Sequence, residues 1–194
     1  MAEEGGAHAT LLRALGLDAH SAVLLARYLD LVAAWNPRIN LTGARTPKER
    51  VDVLVAPVMP AAASLEPGLV LDLGSGNGSP GLVLAALRPD LPVTLLEPRQ
   101  RRWAFLREAA RAIGRPEVDV RRCRHDAYAG PPARTVSVRA LALPLSELVP
   151  LVLPGGRLFV WGPAPGGGEE AFVAEAAPGP GIHVRRRRAG DVSR

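Results

Sequence analysis

The pattern of apolar and polar positions changes character once along the chain. Leu24, Leu25, Tyr28, Leu31, Val32 and Trp35 recur at the i, i+3, i+4, i+7 spacing of an amphipathic helix. This predicts a helix over 21–35 with Ser21 as its N-cap. Asn36-Pro37 is expected to end it, because proline disfavours α geometry in the residue before it. Pro47 suits the first turn of another helix starting near Thr46, and Pro57 and Pro60 are expected to kink or end that one. Beyond residue 66, short apolar runs at 69–73, 93–96, 118–120, 135–138, 157–161 and 182–188 read as strands. Stretches with helical pattern lie at 80–87, 99–113, 145–151 and 169–176. Strands alternating with helices predict a parallel sheet covered on both faces. The expected organisation is a helical N-terminal part over 1–66, packed on a doubly wound α/β domain over 67–194. Residues 162–168 are rich in Pro and Gly and read as a loop, and no internal repeat is visible.

Composition narrows the class. Apolar runs are broken by Pro, Arg or Asp well short of the about 20 residues a membrane span needs. Residues 1–8 carry Glu3 and Glu4 and no basic region, unlike a secretory signal. Cys123 is the only cysteine, which excludes an internal disulfide and makes no case for a metal cluster. A cytoplasmic, membrane-free, metal-free monomer is the expectation. Net charge is +5 with a pI near 10.5, which favours polyanion partners such as RNA. Lys48 is the only lysine, however, and with 20 Gly and 19 Pro the arginine excess also fits a coding bias.

Chemistry concentrates in the run Asp72-Leu73-Gly74-Ser75-Gly76-Asn77-Gly78-Ser79-Pro80-Gly81, where a strand feeds a glycine turn that opens a helix. Glycines let a ligand approach the backbone closely, and the helix start offers free N–H groups. Gly76-x-Gly78-x-x-Gly81 formally matches the dinucleotide fingerprint. Two features favour S-adenosylmethionine over a dinucleotide. Asp72 precedes the first glycine, where it can orient the loop and a methionine ammonium. The glycines alternate from Gly74, with Gly81 already inside the helix. Glu97 ends the second strand, where a carboxylate can accept both ribose hydroxyls, which fits either cofactor.

The ordered motifs resemble those of a known family. Trp35-Asn36 followed by Asn40-Leu41-Thr42 is similar to its W-N-x-x-x-N-L-T entry, and the glycine run to its D-x-G-[ST]-G-x-G-x-P-G signature. Leu96-Glu97, then Arg101-Arg102 and Phe105-Leu106, are similar to its E/D…K-R…F-L helix. Arg124-His125-Asp126 stands in the place of its R-x-E turn, Val138-Arg139-Ala140 of its S-R-A, and Pro154-Gly155-Gly156 of its late P-G-G. The family is the GidB type of bacterial small-subunit ribosomal RNA guanine-N7 methyltransferases. The resemblance implies a class I methyltransferase fold with a helical N-terminal extension. It also implies S-adenosylmethionine contacts at Gly74, Ser79, His125, Asp126 and Arg139 beside the loop glycines Gly76 and Gly78, and the small ribosomal subunit as partner. The chain departs from the family in three places. The usual R-H-x-x-D-S stretch reads Val53-Leu54-Val55-Ala56-Pro57-Val58 here, and the usual Lys-Gly after the fifth strand reads Trp161-Gly162. The run to Arg194 is expected to fall one strand short of the usual closing hairpin.

Guanine N7 carries no proton, so its methylation needs no general base, only positioning and desolvation. Arg139, at a strand end, is the one side chain expected to act at the reacting groups, on the cofactor carboxylate or on the base. Cys123 reads as an inert thiol, and Trp161 either stacks on a base or belongs to the core. Arginines at 99, 101, 102, 107 and 111 share one helix, so only part of that run can face RNA. The run at 185–188 reads equally as a charged edge strand or an RNA contact. A methyltransferase of the same fold acting on a small molecule, and a non-catalytic binding module, are the competing readings.

Overall fold

The computed structural model describes residues 2–190, with side chains from residue 6 onward. Four helices come first: α1 (Ala2–Ala14), α2 (Ala19–Ile39), α3 (Pro47–Leu54) and α4 (Met59–Ser64). Then follow β1 (Val70–Leu73), α5 (Gly81–Leu87), β2 (Val93–Leu96), α6 (Gln100–Ala112), β3 (Asp119–Arg121), β4 (Ala133–Arg139), α7 (Leu145–Leu148), β5 (Val152–Trp161), β6 (Phe172–Glu175) and β7 (Ile182–Arg187).

Two expectations for the helical part fail locally. The N-cap of α2 is Asp18, whose carboxylate accepts from the N–H groups of His20 and Ser21 and from the Ser21 hydroxyl. Pro37 does not end α2 but lies inside it, two residues before Ile39. So near the end, proline removes one hydrogen bond and little else. The turn beyond is secured by Asn36, whose Oδ1 accepts from the N–H groups of Leu41 and Thr42. Thr46 caps α3 as read, with a reciprocal capping box to Glu49. A buried polar chain ties the first three helices. His8 Nε2 accepts from Arg50 Nε at 3.1 Å, so Nδ1 carries the proton it donates to Asp30 at 2.7 Å.

The sheet order is β3-β2-β1-β4-β5-β7-β6. Strands β1 to β5 are parallel, β7 runs antiparallel to β5, and β6 antiparallel to β7. Alternation along β1 and β2 sorts the core. Val70 and Leu95 join the larger cluster with α1, α2, α5 and α6, while Leu71, Leu73 and Leu96 pack on the other face with Leu145 and Leu148 of α7. The expectation of a missing strand is wrong: the sheet has seven. The extra one is β6, inside the stretch 169–176 read above as a helix. The Glu and Ala residues at 169–171, 174 and 175 favour a helix, but pairing with β7 decides the outcome.

The arginine run is also reassigned. β7 lies between two neighbours and is no edge. Arg186 ion-pairs with Glu66 and Glu175, Arg187 donates to Val152 O and Arg188 to Glu170 O. Glu66 also pairs with Arg134, and Glu175 with Arg157. This network knits β4, β5, β7 and β6 together at the end of the sheet opposite Arg139 and Trp161. Among the described residues no helix is long and apolar enough to cross a membrane.

Candidate functional site

The carboxyl ends of the parallel strands share one rim, with Leu73 beside Leu96 and Val138, and Arg139 beside Trp161. Ligands of open α/β sheets bind at such rims. The glycine loop leaves β1 there under tight control. Ser75 N–H donates to Leu96 O at 3.0 Å, and Gly76 N–H to Glu97 Oε2 at 3.0 Å. The Tyr28 hydroxyl donates to Asn77 O at 2.9 Å, and Asn77 Nδ2 to Leu41 O at 3.1 Å. The N-terminal helices thus hold the loop from behind. Gly74 alone of the loop glycines is exposed, with φ +67°. Gly76, Gly78 and Ser79 are buried and shape the turn.

Asp72 also lies behind the loop and is wholly buried. Its Oδ1 accepts from the Ser137 hydroxyl at 2.6 Å, while Oδ2 lies against the Gly81 backbone without a well-formed hydrogen bond. Burial pushes its carboxyl up from 3.8 to about 6, against the opposing hydrogen bond from Ser137. A carboxyl whose folded pKa exceeds its unfolded one binds more protons in the folded state over that interval. Its charge therefore destabilises the fold above about pH 6, and the cost disappears as pH falls toward 4. Two units correspond to ~3 kcal/mol. Asp72→Asn keeps the shape without the charge, so it is expected to melt above the parent protein at about pH 7.5, by up to that amount. The gap should narrow as pH falls below about 6 and close toward about pH 4. A gap independent of pH in thermal melts would show that the charge is not what matters.

In front of the loop lies a cavity of about 290 Å³, walled by Gly74, Glu97, Arg102, Arg124, His125 and Arg139 among others. Glu97 is buried, and both carboxylate oxygens take backbone donors: Oε2 from Gly76 and Oε1 from Arg99 at 2.8 Å. His125 is buried with Nε2 hydrogen-bonded to Glu147 of α7 at 2.8 Å. Asp126 is exposed, pairs with Arg124 at 3.3 Å and does not face the cavity. Cys123 is on the wall, and burial raises its thiol pKa, which disfavours the reactive thiolate.

Arg139 completes the wall at the end of β4. It donates from Nη1 to Ser79 Oγ at 2.7 Å and from Nη2 to Val53 O at 2.7 Å. Ser79 Oγ in turn donates to Leu54 O at 2.6 Å. Arginine and serine together thus satisfy the last-turn carbonyls of α3, groups a helix leaves without partners. This is the stretch where the polar family motif is missing, and the acceptors it offers Arg139 and Ser79 are backbone oxygens. Among the described residues Arg139 has no carboxylate partner, and burial lowers its pKa from the ordinary arginine value without discharging it. Ala140 follows in a left-handed conformation, φ +53°, with its N–H on Trp161 O. That turn brings Leu141 over Gly74: a Cβ there would meet Leu141 Cδ2 at 3.2 Å.

A second, apolar cavity of about 590 Å³ adjoins the first across Ala140, Leu141 and Leu143. Trp161 belongs to the core: it is 6 % exposed, stacks on Phe159 at 6.2 Å, and donates from Nε1 to Pro57 O. Of the residues singled out from the sequence, Gly74, Glu97, His125 and Arg139 face the first cavity, and Asp72, Gly76, Gly78, Ser79 and Asp126 do not. Reading missed Pro98, Arg99 and Leu143 as wall residues. The signal for the first two was their place just after the strand-end glutamate.

A parallel five-stranded core completed by an inserted antiparallel strand, with a glycine turn and a strand-end carboxylate at its rim, defines the class I methyltransferase fold. Solved methyltransferases share it. TrmN from Thermus thermophilus superposes with a TM-score of 0.51 at 20% identity, over 80% of this chain and 53% of that one. Coclaurine N-methyltransferase, solved with N-methylheliamine and SAH, gives 0.52 at 19% identity, over 69% and 42%. Within this class the chain belongs to the GidB family, rRNA small subunit methyltransferase G, which matches residues 22–160. Relatives of that name include one from Symbiobacterium thermophilum, 40% identical over 189 residues, covering 86% of this chain and 74% of the relative. Another, from Halorhodospira halophila, is 37% identical over 147 residues, covering 74% and 70%.

Proposed function

We propose that this enzyme transfers a methyl group from S-adenosylmethionine to N7 of a guanine in small-subunit ribosomal RNA. The lining of this cavity suits the cofactor. Gly74 bares its backbone where a side chain would stand, and Glu97 offers a carboxylate at the adjacent strand end for the ribose hydroxyls. His125, Arg124 and Arg102 form the remaining wall for the adenosine and the methionine ends, with Arg139 over the region of the methionine carboxylate. Bound S-adenosylmethionine supplies a sulfonium methyl that a nucleophile takes in line.

One observation carries the choice of acceptor: residues 22–160 match the GidB family, rRNA small subunit methyltransferase G. On the cavity wall Glu97 accepts two backbone N–H groups and His125 is hydrogen-bonded through Nε2 to Glu147, an arrangement suited to positioning the reactants. An acceptor that must lose a proton would need a base, and guanine N7 needs none. The protein orients the two reactants and keeps water out, which is how Leu141 and the apolar second cavity serve it. Incubation with labelled S-adenosylmethionine and undermethylated small ribosomal subunits is expected to yield N7-methylguanosine. Cofactor binding without that product would reject the assignment. The apolar second cavity favours one other reading, a small aromatic acceptor; methyl transfer to such molecules but not to RNA would select it.

A further inference from the structure

Two sets of arginines stand out. Arg88, Arg115, Arg121, Arg124, Arg134, Arg157 and Arg186 are ion-paired to carboxylates. A second set gathers where the end of α2 meets the start of α6. Arg38 from α2, Arg99 at the N-cap of α6, and Arg101 and Arg102 from α6 line a shallow groove of about 580 Å³ with Asn40 and Gln100, and no acidic residue faces it. The side chains of Arg38, Arg99 and Arg101 have no hydrogen bond or ion pair among the described residues. Arg102 has one neutral partner, Asn40 O at 3.2 Å.

The placement runs against local electrostatics. The first turn of α6 has no acidic residue and carries Arg101 and Arg102, with Arg99 at the N-cap, at the positive end of the helix dipole; the one carboxylate there, Glu97, takes the Arg99 N–H. Cations at such a position are unfavourable for the helix. Guanidinium groups gathered in one groove with no carboxylate facing it mark a surface that is completed from outside. The groove is also continuous with the cofactor cavity, because Arg99 and Arg102 belong to both walls.

We propose that this groove, from Arg38 through Arg101 to Arg99 and Arg102, carries the phosphodiester backbone of a single RNA strand to the cavity mouth. The inference rests on the RNA reading above and deepens it by naming the strand path. Four guanidinium groups in a trough suit successive phosphates, and their planar forks grip phosphate oxygens in pairs. A shallow trough admits a single strand whose bases splay outward, as presentation of one nucleotide requires.

The test uses full-length protein and a fluorescent single-stranded RNA oligonucleotide, with affinity measured from about 50 to 200 mM salt. The double variant Arg38→Ala/Arg101→Ala removes the two groove arginines that lie outside the cofactor cavity. Each lost phosphate contact should reduce the slope of log affinity against log salt by about 0.7, so the pair should remove about 1.4. Affinity for S-adenosylmethionine should stay within about twofold, well under the tenfold that 1.4 kcal/mol represents. The double variant Arg13→Ala/Arg27→Ala removes equal charge elsewhere and should leave the slope intact. An unchanged slope in the groove variant, or an equal fall in the control, overturns the proposal. If the wild type methylates small subunits while the groove variant binds RNA normally, the groove assignment alone fails. If the wild type neither binds RNA nor methylates subunits, the RNA reading fails with it.

Discussion

Glu97→Gln is expected to weaken S-adenosylmethionine binding about tenfold to a hundredfold while the protein stays folded. The substitution changes almost no volume. It places an NH₂ group where a carboxylate oxygen now accepts, and both oxygens are already engaged, by Gly76 N–H at 3.0 Å and Arg99 N–H at 2.8 Å. One buried backbone donor then faces another donor, at a cost of about 1–3 kcal/mol. If the opposed donor is that of Gly76, the glycine loop loses its anchor to β2. If it is that of Arg99, the start of α6 does. Either way the carboxylate proposed to receive the ribose hydroxyls is neutral. Titration calorimetry with the cofactor and a thermal melt separate the effects. A lower melting temperature with unchanged cofactor affinity would reduce Glu97 to a loop fastener and remove it from the binding site.

Gly81→Ala is expected to lower the melting temperature by about 10 °C, through a loss of about 3 kcal/mol. A Cβ at that position would lie 2.4 Å from Leu95 Cδ2, 2.7 Å from Asp72 Oδ2 and 2.9 Å from Asp72 Cβ. None of the three can retreat. Leu95 is wholly buried in β2, and the Asp72 carboxylate is fixed by the Ser137 hydroxyl. The effect is steric rather than conformational, because Gly81 has ordinary helical geometry. Gly6→Ala in α1 is the matched control. Its Cβ meets nothing within 4 Å, so it should hold or raise the melting temperature, since alanine favours a helix by up to ~1 kcal/mol. Equal melting temperatures for Gly81→Ala and the parent would mean that α5 can move off the sheet.

What could be read from the chain was what local chemistry decides. Val93–Leu96 reads directly as a strand because apolar residues run between a proline and a glutamate-proline stop. The loop from Asp72 to Gly81 is legible because glycines at these intervals have few other uses. Asp18 was passed over for Ser21 because the two can serve the same turn, and the choice depends on where the preceding chain arrives. The strand Phe172–Glu175 was hidden because Glu and Ala favour a helix in isolation, and only Arg185–Arg187 across the sheet make it extended. The four arginines at 185–188 look alike in sequence. Their difference lies in partners such as Glu66, about a hundred residues away, with a contact separation of 120 for Arg186. The same blindness applied to the site. Gly74 and Gly76 are one residue apart, yet one faces the cavity and the other turns its N–H back to Glu97.

The inserted position of β7 has a consequence for synthesis. β6 leaves the ribosome before β7 but lies outside it, so until residues 182–187 emerge, β6 has nothing to lie on and the flank of Leu158, Phe159, Val160 and Trp161 is bare. A nascent chain stalled before that point displays a ready-made template for aggregation or for capture by a chaperone. Completion of the sheet therefore waits for residues 182–187, and the hairpin acts as the latch that ends that exposure.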